Sequence, residues 1–230
     1  THSLILIHPY KAGHTNEAKC TKIFTWRANG DGINPFGNTL IEDCFIRTQD
    51  DSLYANGLGI RRVVLWNDAN GSSFVLSGLS NRKLIVEDCD VIYSRAKWHH
   101  WSGGRVFNMR GESEGAAGSG VIFRNIRISD PRPTLQQFFI CMTMPEPYSK
   151  DAEKRTAGDL SGILFQNISI AAPSVLNEPQ ILWGQADARI RNLTFENLTL
   201  GGKCVLNADF FKSNEFVDGL IFSPSAVSNP

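Results

Sequence analysis

LIEDCFI at 40–46 decides the fold, because the chain repeats it: LIVEDCDVI at 84–92, VIFRNIRI at 121–128, ILFQNISI at 163–170 and LTFENLTL at 193–200. A looser copy, VVLWND, lies at 63–68. Each copy alternates apolar and polar residues around an Asp or Asn. Taking that residue as the marker gives Asp43, Asn67, Asp88, Asn125, Asn167 and Asn197, with steps of 24, 21, 37, 42 and 30 residues. A recurring period marks a repeat architecture and has to be read before anything else.

Each copy is a strand: period two, rich in Ile, Val, Phe and Thr, bounded by Gly, Asn, Ser or Pro. No segment carries a helical stripe of useful length, so the crossover helices of a doubly wound fold have nowhere to go. An antiparallel sandwich places strands every 8–12 residues or so but need not repeat one motif. Strands recurring at a little over 20 residues predict an all-β chain wound as a single-stranded parallel β-helix, a solenoid. Each turn would carry about three short strands, with turns roughly 4.8 Å apart. The longer steps read as turns with inserted loops, at 110–119 (RGESEGAAGS) and within 130–159, where Pro131, Pro133, Pro145 and Pro147 precede a charged stretch. The whole of 1–230 reads as one β-helix domain. Repeat material starts near residue 1 without an evident polar cap, so an N-terminal cap or domain is expected beyond this chain.

Composition narrows the function. The 230 residues hold 23 Lys plus Arg against 23 Asp plus Glu, for a net charge of zero. That argues against nucleic acid as a partner, since phosphate backbones call for a cationic surface. It also supplies no attraction to an anionic membrane, and no run approaches 18 apolar residues. Hydrophobic residues at 42% and charged residues at 20% suit a folded domain with a core. The oligomeric state is not legible.

The cysteines are Cys20, Cys44, Cys89, Cys141 and Cys204, an odd number with no C-x-x-C spacing. Cys44 and Cys89 fall two turns apart, too far for a disulfide, whereas Cys20 and Cys44 are about one turn apart, a spacing that admits one. The favoured reading is that these three are small buried residues in a stack. Four Asn-x-Ser/Thr triplets, at Asn70, Asn167, Asn192 and Asn197, are glycan acceptors only in a eukaryotic secretory pathway.

The main chemical signal is NGDGINPFGNTLIEDCFIRTQDDSLY at 29–54. Asp31 and Asp51 are 20 residues apart, close to one turn, so Asp31 is expected beside the Asp50–Asp51 pair. Three carboxylates that close repel when all are ionised, so one is expected to hold a proton and the group to titrate as a coupled set. A protonated and an ionised carboxyl in one cleft are what glycoside hydrolysis requires. Clustered carboxylates also suit calcium, and Asp-Gly is a common turn. Adjacent strand residues point to opposite faces, so Asp50 and Asp51 share a cleft only at a bend or bulge.

Asp31-Gly32-Ile33 followed by Asp50-Asp51-Ser52-Leu53 resembles the clan of polygalacturonases and family 49 dextranases and isopullulanases, best over 23–108. That resemblance implies a right-handed parallel β-helix and an inverting hydrolase acting through three Asp residues without cofactor or metal. It implies Asp50 as general acid, with Asp31 and Asp51 activating water. Polygalacturonases carry Asn-Thr-Asp, Gly-His-Gly and Arg-x-Lys; here Asn29-Gly30-Asp31 and Asn70-Gly71-Ser72-Ser73 stand at the first two, and Arg127-Ile128-Ser129 is the nearest shape to the third. The missing His and cationic pair, and the spacing of 19 from Asp31 to Asp50, turn the expectation toward an α-glucan of the dextran or pullulan type. A pectic substrate comes second. A non-catalytic carbohydrate-binding module is the alternative from another class.

Sugar rings stack on aromatic faces. Trp26, Trp66, Trp98 and Trp101 all lie in the resembling region, and KWHHW at 97–101 follows a strand. Tyr54, Trp66, Lys97 and Trp98 are the expected substrate contacts. His99 and His100, adjacent in a strand, would face opposite ways, and His2, His8 and His14 lack acidic or Cys partners at ligand spacing, so no metal site is expected from them. Work on a polysaccharide implies a secreted or periplasmic protein.

Overall fold

The computed structural model describes residues 2–7, 16–19, 22–25, 30–35, 39–68, 71–77, 84–94, 106–110, 120–129, 139–142, 158–171 and 180–224. It is all-β. Among the described residues the helical content is one 3-10 turn, Ala208–Phe210, and no helix is long and apolar enough to cross a membrane.

The strands form three sheets in which spatial neighbours are separated in sequence by about one repeat. One sheet runs His2–Ile7, Gly30–Pro35, Leu53–Tyr54, Phe74–Ser77, Phe107–Arg110, Phe139–Met142, Gln180–Trp183 and Phe211–Ser213, every pairing parallel. The second holds the sequence motif. In its early repeats the motif is split into two short strands, as in Thr39–Glu42 with Phe45–Thr48 and Ile85–Glu87 with Asp90–Ser94. In later repeats the halves fuse into the seven-residue strands Ile122–Ile128, Leu164–Ile170 and Thr194–Leu200. A third, small sheet pairs Leu160–Ser161, Ile190–Arg191 and Val217–Asp218. The antiparallel exceptions among the described residues are Thr194–Leu200 with Lys203–Cys204 and an isolated bridge between Gln185 and Ala188. Successive strands thus enter different sheets, and each pairs with its counterpart one repeat on, an order compatible with a solenoid.

The register stacks like on like. Ile41, Ile60, Val86, Phe123, Phe165, Phe195 and Phe222 lie opposite one another in a column. The Phe123, Phe165 and Phe195 rings stack with centroids 5.2 and 5.1 Å apart. Phe107 meets Phe165 edge-on at 5.4 Å, tying the first sheet to the second. Each buried ring contributes about 1.5–3 kcal/mol by area, and each aromatic pair roughly 0.5–1.5 kcal/mol more. Charges form ladders across neighbouring strands: Arg61 on the buried Glu42 at 2.6 Å, Arg127 on Asp90 at 2.5 Å, and Arg124 on Glu87. Opposite charges facing across neighbouring strands replace repulsion with attraction.

The motif's central Asp or Asn has a backbone reason. Asp43, Asp88, Asn125, Asn167 and Asn197 all adopt φ of 54–57°, the left-handed region that Asn and Asp tolerate best after glycine. Their side chains also form a ladder: Asn125 Nδ2 donates to Asp88, Asn167 to Asn125, and Asn197 to Asn167, each at 3.0 Å. The marker assigned to the second copy needs correcting. Arg62, with φ of 54°, occupies the bend, while Asn67 ends the strand Val64–Asn67 five residues later. Arg62 is held there by ion pairs to Asp43 at 2.6 Å and Glu42 at 3.0 Å.

The residue after the bend points inward. Cys44 and Cys89 both occupy that place, at 3% and 0% exposure, and both thiols reach the carbonyl two residues back at 3.2 Å. Cys89 and the exposed Cys204 carry free thiols. Cys20 lies outside the described residues, as do 111–119, 130–138 and 143–157. Phe139–Met142, inside the stretch read as an insertion, is a strand of the first sheet.

Candidate active site

Asp31 sits in Gly30–Pro35. One repeat later the chain leaves Phe45–Thr48, bends through Gln49 and Asp50, and resumes at Leu53–Tyr54. Ile33 pairs with Leu53, which sets Asp31 level with Asp51. Carboxyl oxygens of Asp31, Asp50 and Asp51 all lie within 4.8 Å of one another. Asp31 and Asp51 are 4% and 6% exposed, and Asp50 is half-buried.

The bend lets two adjacent Asp residues serve one place, as the sequence required. It is held by its own backbone: Gly32 N–H donates to Asp51 O at 2.8 Å and Asp50 N–H to Gly30 O at 3.3 Å. The Asp50 carbonyl accepts from the Thr48 hydroxyl and from Asn67 Nδ2, both at 2.7 Å. The Asp50 carboxylate accepts from the Asp51 N–H at 2.9 Å.

Two glycines make room. A Cβ on Gly32 would stand 2.1 Å from Ser52 O. Gly71 has φ of +69°, and a Cβ there would lie 2.2 Å from Asp51 N and 2.5 Å from Asp50 Oδ1. The backbone of the next repeat therefore packs directly against the Asp pair, and any side chain at 71 displaces it.

Two donors orient the buried carboxylates. Ser72 N–H reaches Asp51 Oδ1 at 2.7 Å, the kind of short backbone bond that an ionised carboxylate accepts best. The Tyr54 hydroxyl stands 3.1 Å from Asp51 Oδ2 and 3.2 Å from Asp31 Oδ2. Carboxylates this close repel when all are ionised. Asp31, Asp50 and Asp51 are also the one acidic group among the described residues with metal-ligand spacing. They would offer three of the six to eight or so oxygens that calcium takes.

Beside the cluster, Asp68 is fully engaged. Arg47 approaches it with Nε at 2.7 Å and Nη2 at 3.2 Å, Gln49 Nε2 at 3.0 Å and Trp66 Nε1 at 2.7 Å.

The structure brings Asp31, Asp50, Asp51 and Tyr54 together. Tyr54 is buried at 8% exposure, with its hydroxyl on the carboxylates. Trp66 is half-buried, with the Arg47 guanidinium 5.0 Å from its ring centroid on one strand and Tyr93 stacked at 4.4 Å on the other. Its ring is thereby flanked from both neighbouring strands. Lys97 and Trp98 lie outside the described residues, as do Trp26, Trp101, His99 and His100. Sequence reasoning missed Gly71, Ser72, Thr48 and Asn67 as site-building residues. A signal for two of them was present: Gly71 and Ser72 follow Asp50 and Asp51 by 21 residues, the same step that relates neighbouring repeats.

Neither a family model nor a curated protein nor a solved structure matches this chain.

Proposed function

We propose that the chain is a right-handed parallel β-helix that hydrolyses the glycosidic bonds of a polysaccharide. The observation that carries this reading is the meeting of Asp31, Asp50 and Asp51, from two successive repeats, with oxygens within 4.8 Å. Asp50, the most accessible of the three, is the general acid for the leaving oxygen. Asp31 and Asp51, held by Tyr54 and Ser72, activate the attacking water. The resemblance of 29–54 to polygalacturonases and family 49 enzymes supports the same assignment, with an α-glucan as first substrate and a pectic chain as second. Such substrates place the work outside the cytoplasm, in a secreted or periplasmic setting.

Stereochemistry follows from the gap between carboxyls. Inversion with a water between acid and base is associated with carboxyl groups about 6.5–9.5 Å apart, and retention with about 5–5.5 Å. Nearest oxygens within 4.8 Å mark a tighter cluster than the usual inverting site. The short separation does not support inversion, which rests on the resemblance of 29–54 alone.

Reducing-sugar release from dextran, pullulan and polygalacturonate tests the reading, with wild type beside Asp50→Asn. Release by wild type and its loss in the variant are expected. Binding without release on a broad glycan panel would make the protein a carbohydrate-binding module, and release from polygalacturonate alone would overturn the α-glucan choice.

A further inference from the structure

We propose that Asn67 is a positioning residue: its amide fixes the peptide between Asp50 and Asp51 and so holds both side chains to one place. This inference deepens the hydrolase reading, and the kinetic part of its test rests on that reading.

The starting observation is a polar column inside a core that is otherwise apolar. Ile23, Ile46, Leu65 and Val91 lie opposite one another on neighbouring strands and are at most 2% exposed. Two residues on from the first three stand Thr25, Thr48 and Asn67, at 7%, 0% and 0% exposure. Buried polar groups cost free energy unless they are hydrogen-bonded, and these three find partners in the bend that carries the Asp pair. Thr25 Oγ1 donates to Gly30 O at 2.6 Å and accepts Gln49 N–H at 3.1 Å. The Thr48 hydroxyl and Asn67 Nδ2 both donate to Asp50 O at 2.7 Å. Three successive repeats thus brace one bend from the core side.

The brace constrains the carboxyls through the peptide plane. A trans peptide points its carbonyl and its N–H in opposite directions. With Asp50 O pinned toward the core, the Asp51 N–H is turned away from it, where Asp50 Oδ1 accepts it at 2.9 Å. Thr48 alone is a weaker pin. It has one proton to donate, and its oxygen also stands 2.7 Å from Ser52 Oγ. Asn67 brings two N–H groups, with Nδ2 at 2.7 Å from Asp50 O and 3.5 Å from Thr48 Oγ1.

Two measurements test the proposal, both on Asn67→Leu, which removes the donor and keeps a similar branched shape. Residue-resolved amide hydrogen exchange needs no substrate. The Asp51 N–H is expected to exchange about tenfold faster in the variant, while the Phe165 and Ile168 amides of the distant stack keep their wild-type rates. An unchanged Asp51 rate overturns the proposal, and so does a rise of equal size at Phe165 and Ile168. The second measurement is kinetic, on the glycan that wild type cleaves. Loss of the clamp is expected to lower kcat at least about tenfold and to leave KM within about twofold of wild type. The melting temperature should stay within about 4 °C of wild type. A lowered melting temperature with unchanged kcat would give Asn67 a structural role alone and contradict positioning. Thr48→Val, which removes the other donor onto Asp50 O, should move both readouts the same way and carries the test if Asn67→Leu does not fold. Faster Asp51 exchange in a protein that cleaves no glycan would sink the hydrolase reading and leave the clamp intact.

Discussion

A methyl group at Gly71 would collide with Asp51 N and Asp50 Oδ1, so at the scale of single residues the site depends on a position that carries no chemistry. Gly71→Ala is expected to lower kcat at least about a hundredfold, the loss seen when catalytic geometry slips by an ångström. Circular dichroism should still report folded strands, because the stacked core lies elsewhere. Near-wild-type activity in that variant would mean the Asp pair is not held as described. The thiols give a second residue-scale prediction. Burial pushes the Cys89 thiol up to about 12, and Cys44 is equally enclosed, whereas Cys204 is exposed. Maleimide labelling of native protein near neutral pH, followed by peptide mapping, should modify Cys204 and spare Cys44 and Cys89. The sign for stability follows: the unfolded thiol releases its proton at lower pH than the folded one. Cys89 therefore costs stability as pH rises above the ordinary thiol value toward 12. At this scale the Asp triad was legible because the step between repeats aligned it. The burial of Tyr54 against Asp31 and Asp51 was not, since its local sequence carries no sign of the register that brings its hydroxyl there.

Among the elements, the bend in the repeated motif explains what the alternation alone does not. Asn167 sits at φ of 54° and is bonded above and below in the side-chain ladder. Asn167→Val, with a branched Cβ in the left-handed region, should destabilise by about 1–2 kcal/mol from conformation and more from the broken ladder. Asn167→Gly loses the ladder but not the backbone fit and should cost less; urea midpoints for the two variants test the order, and the reverse order would contradict it. The Asn and Asp markers were therefore readable in the sequence. The second copy misled because Arg62 is not a residue type that announces a left-handed bend, and its stability there comes from Glu42 and Asp43 on the neighbouring strand. The first sheet was equally hard to see. Leu53–Tyr54 is two residues long and Phe139–Met142 lies between proline-rich and charged segments. Both are strands because a parallel partner exists one repeat away, a fact absent from their local sequence.

For the molecule as a whole, the buried core and the Asp cluster come from the same translation along the stack. The phenylalanine column makes the repeats cooperative: Phe165, fully buried and stacked between Phe123 and Phe195, should cost about 3–5 kcal/mol when cut to Ala, read as a lower urea midpoint. The same translation sets Asp31 beside Asp51. If the three carboxyls act as one unit, their losses will not add. The most direct measurement is kcat on the best-cleaved glycan for Asp31→Asn, Asp50→Asn, Asp51→Asn and the Asp31→Asn/Asp51→Asn double variant, with melting temperatures recorded alongside. Each single variant is expected to lose about a hundredfold or more, and the double variant to be little worse than either parent. Wild-type turnover in any of the three single variants, in a protein that remains folded, would contradict it.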